Sequence, residues 1–417
     1  MRDQRRWLPI LIFILIVLCI LVYLLLRPQI PIIPGTRTPT PTPTGGRELP
    51  TPTPTPSATM IPKPVWGPGN YILVRRDDFS PATPPPAGFP ALASHIDVYW
   101  DRVPAAGAAF DWSSIETKVS QIAAQQLTLA DGRRIARPVW LTLPVLWTQG
   151  TVNSRGQRFC NNNVPQSVKN LAPDYVITVT PPGVPAYTQN VPAFDDPDLI
   201  TAYRTFVLDA GRQWNNDPRI AGVIIAGGYD NETQIGANWC YIQGDARDFP
   251  VTQSEMRDFV LAAIGAFHDA FPNKPVYLNF APAPTDESRC DWVNQILTYN
   301  PRHIGVGFNG MSPDVPAFVQ NPNPAYAGLG CGSLELIKRY AEILPVKFEP
   351  ALAGLDGSDK ELQYRYWSWL AALTARVDFI DVQDPWFCQP TDGNDVCTGT
   401  TNALNAVQTP YPATGDA

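Results

Sequence analysis

The sequence predicts a (β/α)8 barrel, and two observations carry that prediction. Eight short runs rich in Val, Ile, Tyr and Phe occur at 71–75, 95–100, 137–145, 220–226, 275–280, 303–308, 345–348 and 377–382. Several are almost continuously apolar, as strands covered by helices on one face and by a packed interior on the other must be. Between them lie longer stretches with helical spacing, at 113–126, 198–214, 254–271, 333–344 and 359–375. Strands that alternate with helices build a parallel sheet. An open doubly wound sheet is the competing architecture. It is disfavoured because no G-x-G-x-x-G or G-x-x-x-x-G-K-[ST] follows a strand.

The individual elements have local reasons. The stretch 113–126 places Ile115, Val119, Ile122 and Ala123 on one helical face. The next helix opens on Asp195-Asp196-Pro197-Asp198, in which an acidic cap precedes a proline suited to the first turn. The connections after the third, fourth, sixth and eighth strands are long, at 146–191, 229–250, 309–332 and 386–400. They share one end of the barrel, the end that carries chemistry in this fold.

The N-terminal region reads differently. Residues 7–26 form a run of 20 with no charge, which as a helix spans about 30 Å, the thickness of a bilayer core. Arg2, Arg5 and Arg6 precede it against one acid, Asp3, so residues 1–6 are expected in the cytoplasm and everything after residue 26 outside. A cleaved signal peptide is the other reading. The apolar run is longer than the usual signal core and no small-x-small cleavage site follows it, which favours a retained anchor. Residues 27–64 contain Thr-Pro repeats at 38–44 and 51–56 interrupted by Gly45-Gly46. Such a segment favours extended polyproline II and would hold residues 65–417 up to ~100 Å from the membrane. Its threonines are candidate O-glycosylation sites.

Composition excludes some classes. With 44% hydrophobic and 17% charged residues in 417, the chain holds one large domain plus extensions. A formal charge of -7 without a basic stripe argues against a nucleic-acid partner. Cys19 sits in the apolar run, and six cysteines remain beyond it: Cys160, Cys240, Cys290, Cys331, Cys388 and Cys397. An even number in an exported domain suggests disulfides, with fifteen pairings open and Cys388–Cys397 the most local. No C-x-x-C occurs and no histidine lies near a cysteine, so structural zinc is not expected. His95, His268 and His303 read as structural. No G-x-S-x-G is present to suggest a serine nucleophile. Oligomeric state is not legible.

Two glutamates stand where an apolar run gives way to a loop. Glu232 follows the fourth run, after Asn231, and Glu349 ends the seventh, between Phe348 and Pro350. Carboxylates at the C-terminal ends of barrel strands are placed for catalysis. Two of them about 5–5.5 Å apart, one ionised and one protonated, meet the need of glycoside hydrolysis with retention. Their mutual repulsion raises one pKa and supplies the acid near neutral pH. A competing reading of the first site is the N-glycosylation sequon Asn231-Glu232-Thr233. Trp147 and Trp386 follow the third and eighth strands, and Tyr229, Trp100 and Trp239 lie near strand ends, where aromatic faces stack on sugar rings. Asp381 and Asp384 flank the eighth strand as candidate ligands of sugar hydroxyls or as structural acids.

In these features residues 65–387 resemble the large clan of retaining glycoside hydrolases with (β/α)8 barrels, of the β-galactosidase and cellulase type. There an Asn-Glu pair ends strand four and a second Glu ends strand seven. The resemblance implies that Glu232 is the general acid/base, Glu349 the nucleophile and Asn231 a ligand of the sugar 2-OH, with no cofactor and a carbohydrate substrate. The segment Tyr99-Trp100-Asp101-Arg102-Val103-Pro104, ending at Phe110-Asp111-Trp112, is similar to a W-x-x-[LIV]-E-P-x-x-G-x-[YF]-[DN]-W segment after strand two of those enzymes. Val103-Pro104 stands where their Glu-Pro is expected. A non-catalytic carbohydrate-binding barrel displayed on the cell surface is the alternative, and a structural surface protein on a Thr-Pro stalk is a third reading.

Overall fold

A computed structural model describes residues 73–76, 92–106, 109–128, 132–180, 183–225, 250–280, 286–311, 340–350 and 377–382. All belong to one unit, Pro56–Ala417. The expected anchor at 7–26, the linker at 27–64 and the helix at 359–375 lie outside the described residues. No helix among the described residues is long and apolar enough to cross a membrane.

Eight parallel strands close into a barrel. They are β1 (Leu73–Arg76), β2 (Leu92–Asp97), β3 (Val139–Thr142), β4 (Ile220–Ile225), β5 (Val276–Phe280), β6 (Ile304–Met311), β7 (Val346–Pro350) and β8 (Phe379–Val382). Each strand pairs with its neighbours in the sequence, and β8 closes on β1 with Leu73 opposite Ile380. Every strand expected from the sequence is present. The second is displaced: the run 95–100 suggested a start at His95, whereas β2 begins at Leu92, opposite Leu73 of β1. Ala93 and Ser94 have little intrinsic strand preference, and pairing with β1 recruits them. The chain leaves β2 through a 3-10 turn at Trp100–Arg102.

Five helices are bounded among the described residues: α1 (Ser113–Ala123), α2 (Gln166–Lys169), α3 (Pro197–Trp214), α4 (Gln253–Ala270) and α5 (Asp286–Thr298). Residues 340–343 are also helical, within the stretch expected at 333–344. α1 buries Ile115, Val119 and Ile122 as its spacing predicts, and stops at Ala123 because Gln126–Thr128 pairs with Arg134–Ala136. α3 is capped by Asp196, whose side chain accepts a hydrogen bond from the Asp198 amide at 2.8 Å. α4 begins with a reciprocal capping box between Thr252 and Glu255. α5 was not expected. Its sequence is largely polar, and its buried face is only Cys290, Trp292, Val293, Ile296 and Leu297. Cys290 is disulfide-bonded.

Strand alternation divides the buried residues into two sets. Ile96, Leu141, Val223, Leu278, Val306, Phe348 and Ile380 belong to the main core shared with the helices, together with Val207, Phe259, Ile264 and Ile296. The opposite parity forms a separate cluster, Ala93, Trp140, Ile224, Tyr277 and Phe379. This second set fills the barrel interior. Phe379 packs on Trp140 with ring centroids 4.6 Å apart and meets Tyr277 edge-on at 5.0 Å.

The strands of the seam between β6 and β7 approach closely at Gly305. A Cβ built there would stand 1.8 Å from the Pro345 carbonyl oxygen and 2.6 Å from its carbon. These are backbone atoms and cannot rotate away. Gly305→Ala is therefore expected to force β6 and β7 apart at a cost of roughly 1–3 kcal/mol or more. A urea denaturation midpoint unchanged from the parent would contradict this.

Candidate functional site at the C-terminal end of the barrel

A charged layer sits above the aromatic layer inside the barrel. Two residues beyond Ala93, Trp140, Tyr277 and Phe379 come His95, Thr142, Asn279 and Asp381, all buried. Lys347 of β7 joins them and is fully buried as well. Its register partner on β6 is Gly307. A Cβ there would lie 2.7 Å from Lys347 Cγ and 3.0 Å from Cε, so only a glycine leaves room for the lysine stem.

The ionic contacts converge on Asp381. Its Oδ2 accepts hydrogen bonds from His95 Nδ1 at 2.8 Å and from Lys347 Nζ at 3.3 Å. His95 Nε2 donates to Thr142 Oγ1 and lies 3.4 Å from Asp97 Oδ1. Burial alone would push the His95 imidazolium pKa down. The charge of Asp381, its hydrogen bond and the further pull of Asp97 outweigh that and raise it from 6.5 to about 9. His95 is thus a buried cation at neutral pH, and with Lys347 it balances the two carboxylates.

This shift has a consequence for stability. His95 binds its proton more tightly in the fold than in the unfolded chain, so its contribution is complete below about pH 6.5 and disappears as pH rises through about 9. The loss over that window is expected to be on the order of 3 kcal/mol. Thermal unfolding followed from pH 6 to 10 should show the decline in the parent and a flatter profile in His95→Gln. Equal slopes for the two would refute the assignment.

Glu349 is the next member of the same series. It lies two residues beyond Lys347, near the C-terminal end of β7. On β2 the corresponding next position is Asp97, two beyond His95. Trp147 falls in the strand Leu146–Val152, which pairs antiparallel with Arg158–Asn162 and sets Trp147 opposite Asn161. A second hairpin, Tyr175–Val179 with Tyr187–Val191, completes the long connection after β3. Asn231, Glu232, Tyr229, Trp386 and Asp384 lie outside the described residues, as does Trp239.

One expectation needs correction, and one open reading is decided. Trp100 is not an aromatic platform at the strand end. It is 1% exposed and stacks on Phe206 at 5.5 Å, with Tyr203 edge-on at the same distance. The segment from Trp100 to Trp112 is a packing device. Trp112 stacks on the same Phe206, and its indole N–H donates to Asp209 Oδ2 at 2.8 Å. Asp381 is not placed to meet sugar hydroxyls, because it is 3% exposed and bound to His95 and Lys347. The interior network itself was not expected. Its signal was polar residues inside barrel strands, His95 and Asp97 in β2, Lys347 in β7 and Asp381 in β8.

No protein-family model matches the chain, and no curated protein matches it in sequence. Among solved structures it is similar to a β-galactosidase from the psychrophilic Marinomonas ef1, at 10% identity and a TM-score of 0.44, covering 81% of this chain and 59% of that one. It is similar to a trimodular GH5_4 subfamily endoglucanase at 10% identity and a TM-score of 0.42, covering 82% and 60%. An endo-1,4-β-mannanase from Rhizomucor miehei aligns at 13% identity and a TM-score of 0.38, covering 77% and 87%. The chain thus spans about three fifths of the length of the first two.

Proposed function

We propose that this chain is a membrane-anchored, extracytoplasmic glycoside hydrolase that cleaves O-glycosidic bonds with retention of configuration. The observation that carries the reading is Glu349, near the C-terminal end of barrel strand β7 and in series with the inward-facing Lys347. In the proposed reaction Glu232 protonates the departing glycosidic oxygen while Glu349 attacks the anomeric carbon. Glu232 then deprotonates water, which releases the sugar from Glu349. Asn231 holds the 2-OH, and Trp147, Tyr229, Trp386 and Asp384 line the substrate path. No cofactor takes part.

Residues 7–26 anchor the chain and residues 27–64 hold the barrel away from the membrane. The disulfide at Cys290 agrees with an oxidising compartment. The replacement of the expected Glu-Pro by Val103-Pro104 favours a second reading, a barrel that binds glycans without cleaving them. Val103 is buried and apolar, so it offers no polar group at that position.

The deciding experiment incubates the full-length protein with a panel of aryl glycosides and soluble polysaccharides and follows the anomeric proton of the first product by NMR. Release of product with retained configuration is the expected result. Inversion would discard the proposed roles of the two glutamates, and binding without release would favour the second reading.

A further inference from the structure

A polar pocket of about 570 Å³ lies between the 3-10 turn that follows β2 and the two hairpins that follow β3. Its wall includes Asn162, Asn163, Asn190 and Gln189, together with Phe159. Two of these amides are unusual. Asn162 Nδ2 and Asn163 Nδ2 are buried and have no hydrogen-bond partner among the described residues. Asn163 as a whole is 5% exposed. Folded proteins rarely leave such donors unsatisfied, and the exceptions mark places where something else is bound.

Local structure fixes both amides. Asn162 ends its strand, and its Oδ1 accepts a hydrogen bond from the Val164 amide at 3.0 Å, which leaves the NH2 group as its remaining donor. The Asn163 main chain is tied to the exit of β3 by a 3.1 Å bond from its N–H to the Val145 carbonyl. Phe159 is braced by the Tyr187 ring at 5.1 Å between centroids. The pocket's charges largely offset one another. Asp101 stands with Arg102 and Lys169, and Lys169 is also 3.7 Å from Asp174. Fixed amide donors beside an aromatic ring, with little net charge, suit an uncharged polyhydroxylated ring. Amides pair with hydroxyls in both senses, and an aromatic face covers the apolar C–H side of a sugar.

We infer that this pocket is a second carbohydrate site that takes a neutral sugar unit, held by Asn162, Asn163 and Phe159. The inference rests on the carbohydrate reading of the barrel but not on its catalysis. The pocket's walls come from the connections that follow β2 and β3, whereas Glu349 lies on β7, four strands from β3 in the eight-stranded ring.

Isothermal titration of the full-length protein carrying Glu349→Gln tests it. The ligands are neutral tetrasaccharides of glucose, mannose, galactose and xylose, with tetragalacturonate as the acidic counterpart. At least one neutral ligand should bind, and binding should weaken about tenfold or more in Phe159→Ala and in Asn162→Asp. The Asn162→Asp change keeps the acceptor for Val164 while replacing the donor by a carboxylate oxygen, and circular dichroism of the variant checks that the fold is kept. Affinity unchanged by both substitutions, no binding by any neutral ligand, or tighter binding of tetragalacturonate would each overturn the inference. Failure of the catalytic reading is seen separately, as turnover that is absent in the parent or undiminished in Glu349→Gln.

Discussion

Glu349→Gln is expected to lower turnover of a cleavable glycan by roughly 10⁴-fold or more, the scale seen when an enzyme loses its nucleophile. The amide is nearly isosteric with the carboxylate but cannot form the glycosyl-enzyme bond. Its effect should also differ in kind from that of Glu232→Gln. A substrate with a strongly acidic leaving group, such as a dinitrophenyl glycoside, departs without protonation. Glu232→Gln should therefore still form the covalent intermediate on that substrate and stall at its hydrolysis, visible as a burst of released phenol. Glu349→Gln should show no burst. A parent-like rate for Glu349→Gln on every substrate the parent cleaves would remove Glu349 from the mechanism.

Lys347→Met is expected to destabilise the fold by roughly 3–5 kcal/mol, the usual cost of breaking a buried ion pair from one side. Methionine fills most of the lysine volume, so the packing over Gly307 survives and the loss isolates the charge. Asp381 would lose one of its two described cationic partners and keep His95 while remaining 3% exposed. Adding Asp381→Asn should therefore cost less in the Lys347→Met background than in the parent. Residues in direct contact couple, whereas distant ones add. Urea denaturation of the four proteins gives the cycle directly. Strict additivity, or a loss under about 1 kcal/mol for Lys347→Met, would show that the pair does not support the barrel. Lys347 and the proposed nucleophile share one strand, two residues apart.

Much of the fold was legible along the chain. All eight strands announce themselves as short apolar runs, because a barrel strand is buried on both faces and cannot carry the polar alternation of a half-exposed one. The Asp196 cap and Pro197 mark the start of α3 as local chemistry predicts. α5 escaped because a helix with few apolar positions in a polar sequence shows its face only once a core exists to receive it. The hairpins after β3 escaped for a related reason. They are turns and short pairings within one long connection, and their register depends on what they pack against.

Candidate residues divide in the same way. The place of Glu349 at a strand end is a one-dimensional property and could be read directly. Trp100 has the same one-dimensional position and an opposite fate, because the aromatic face of α3 captures it. The ionic layer is a property of closure. Asp381 is 286 residues from His95 and 34 from Lys347, and the three meet only when β8 closes the ring between β7 and β1. What the sequence determined by itself was the set of strands, the starts of α1, α3 and α4 and the position of a carboxylate at the end of the seventh strand, since these follow from composition and spacing within a few residues. Only the tertiary structure decided which face of each strand turns inward, which charges meet there and how His95 is held protonated, because burial and Coulomb coupling act between residues that the chain keeps far apart.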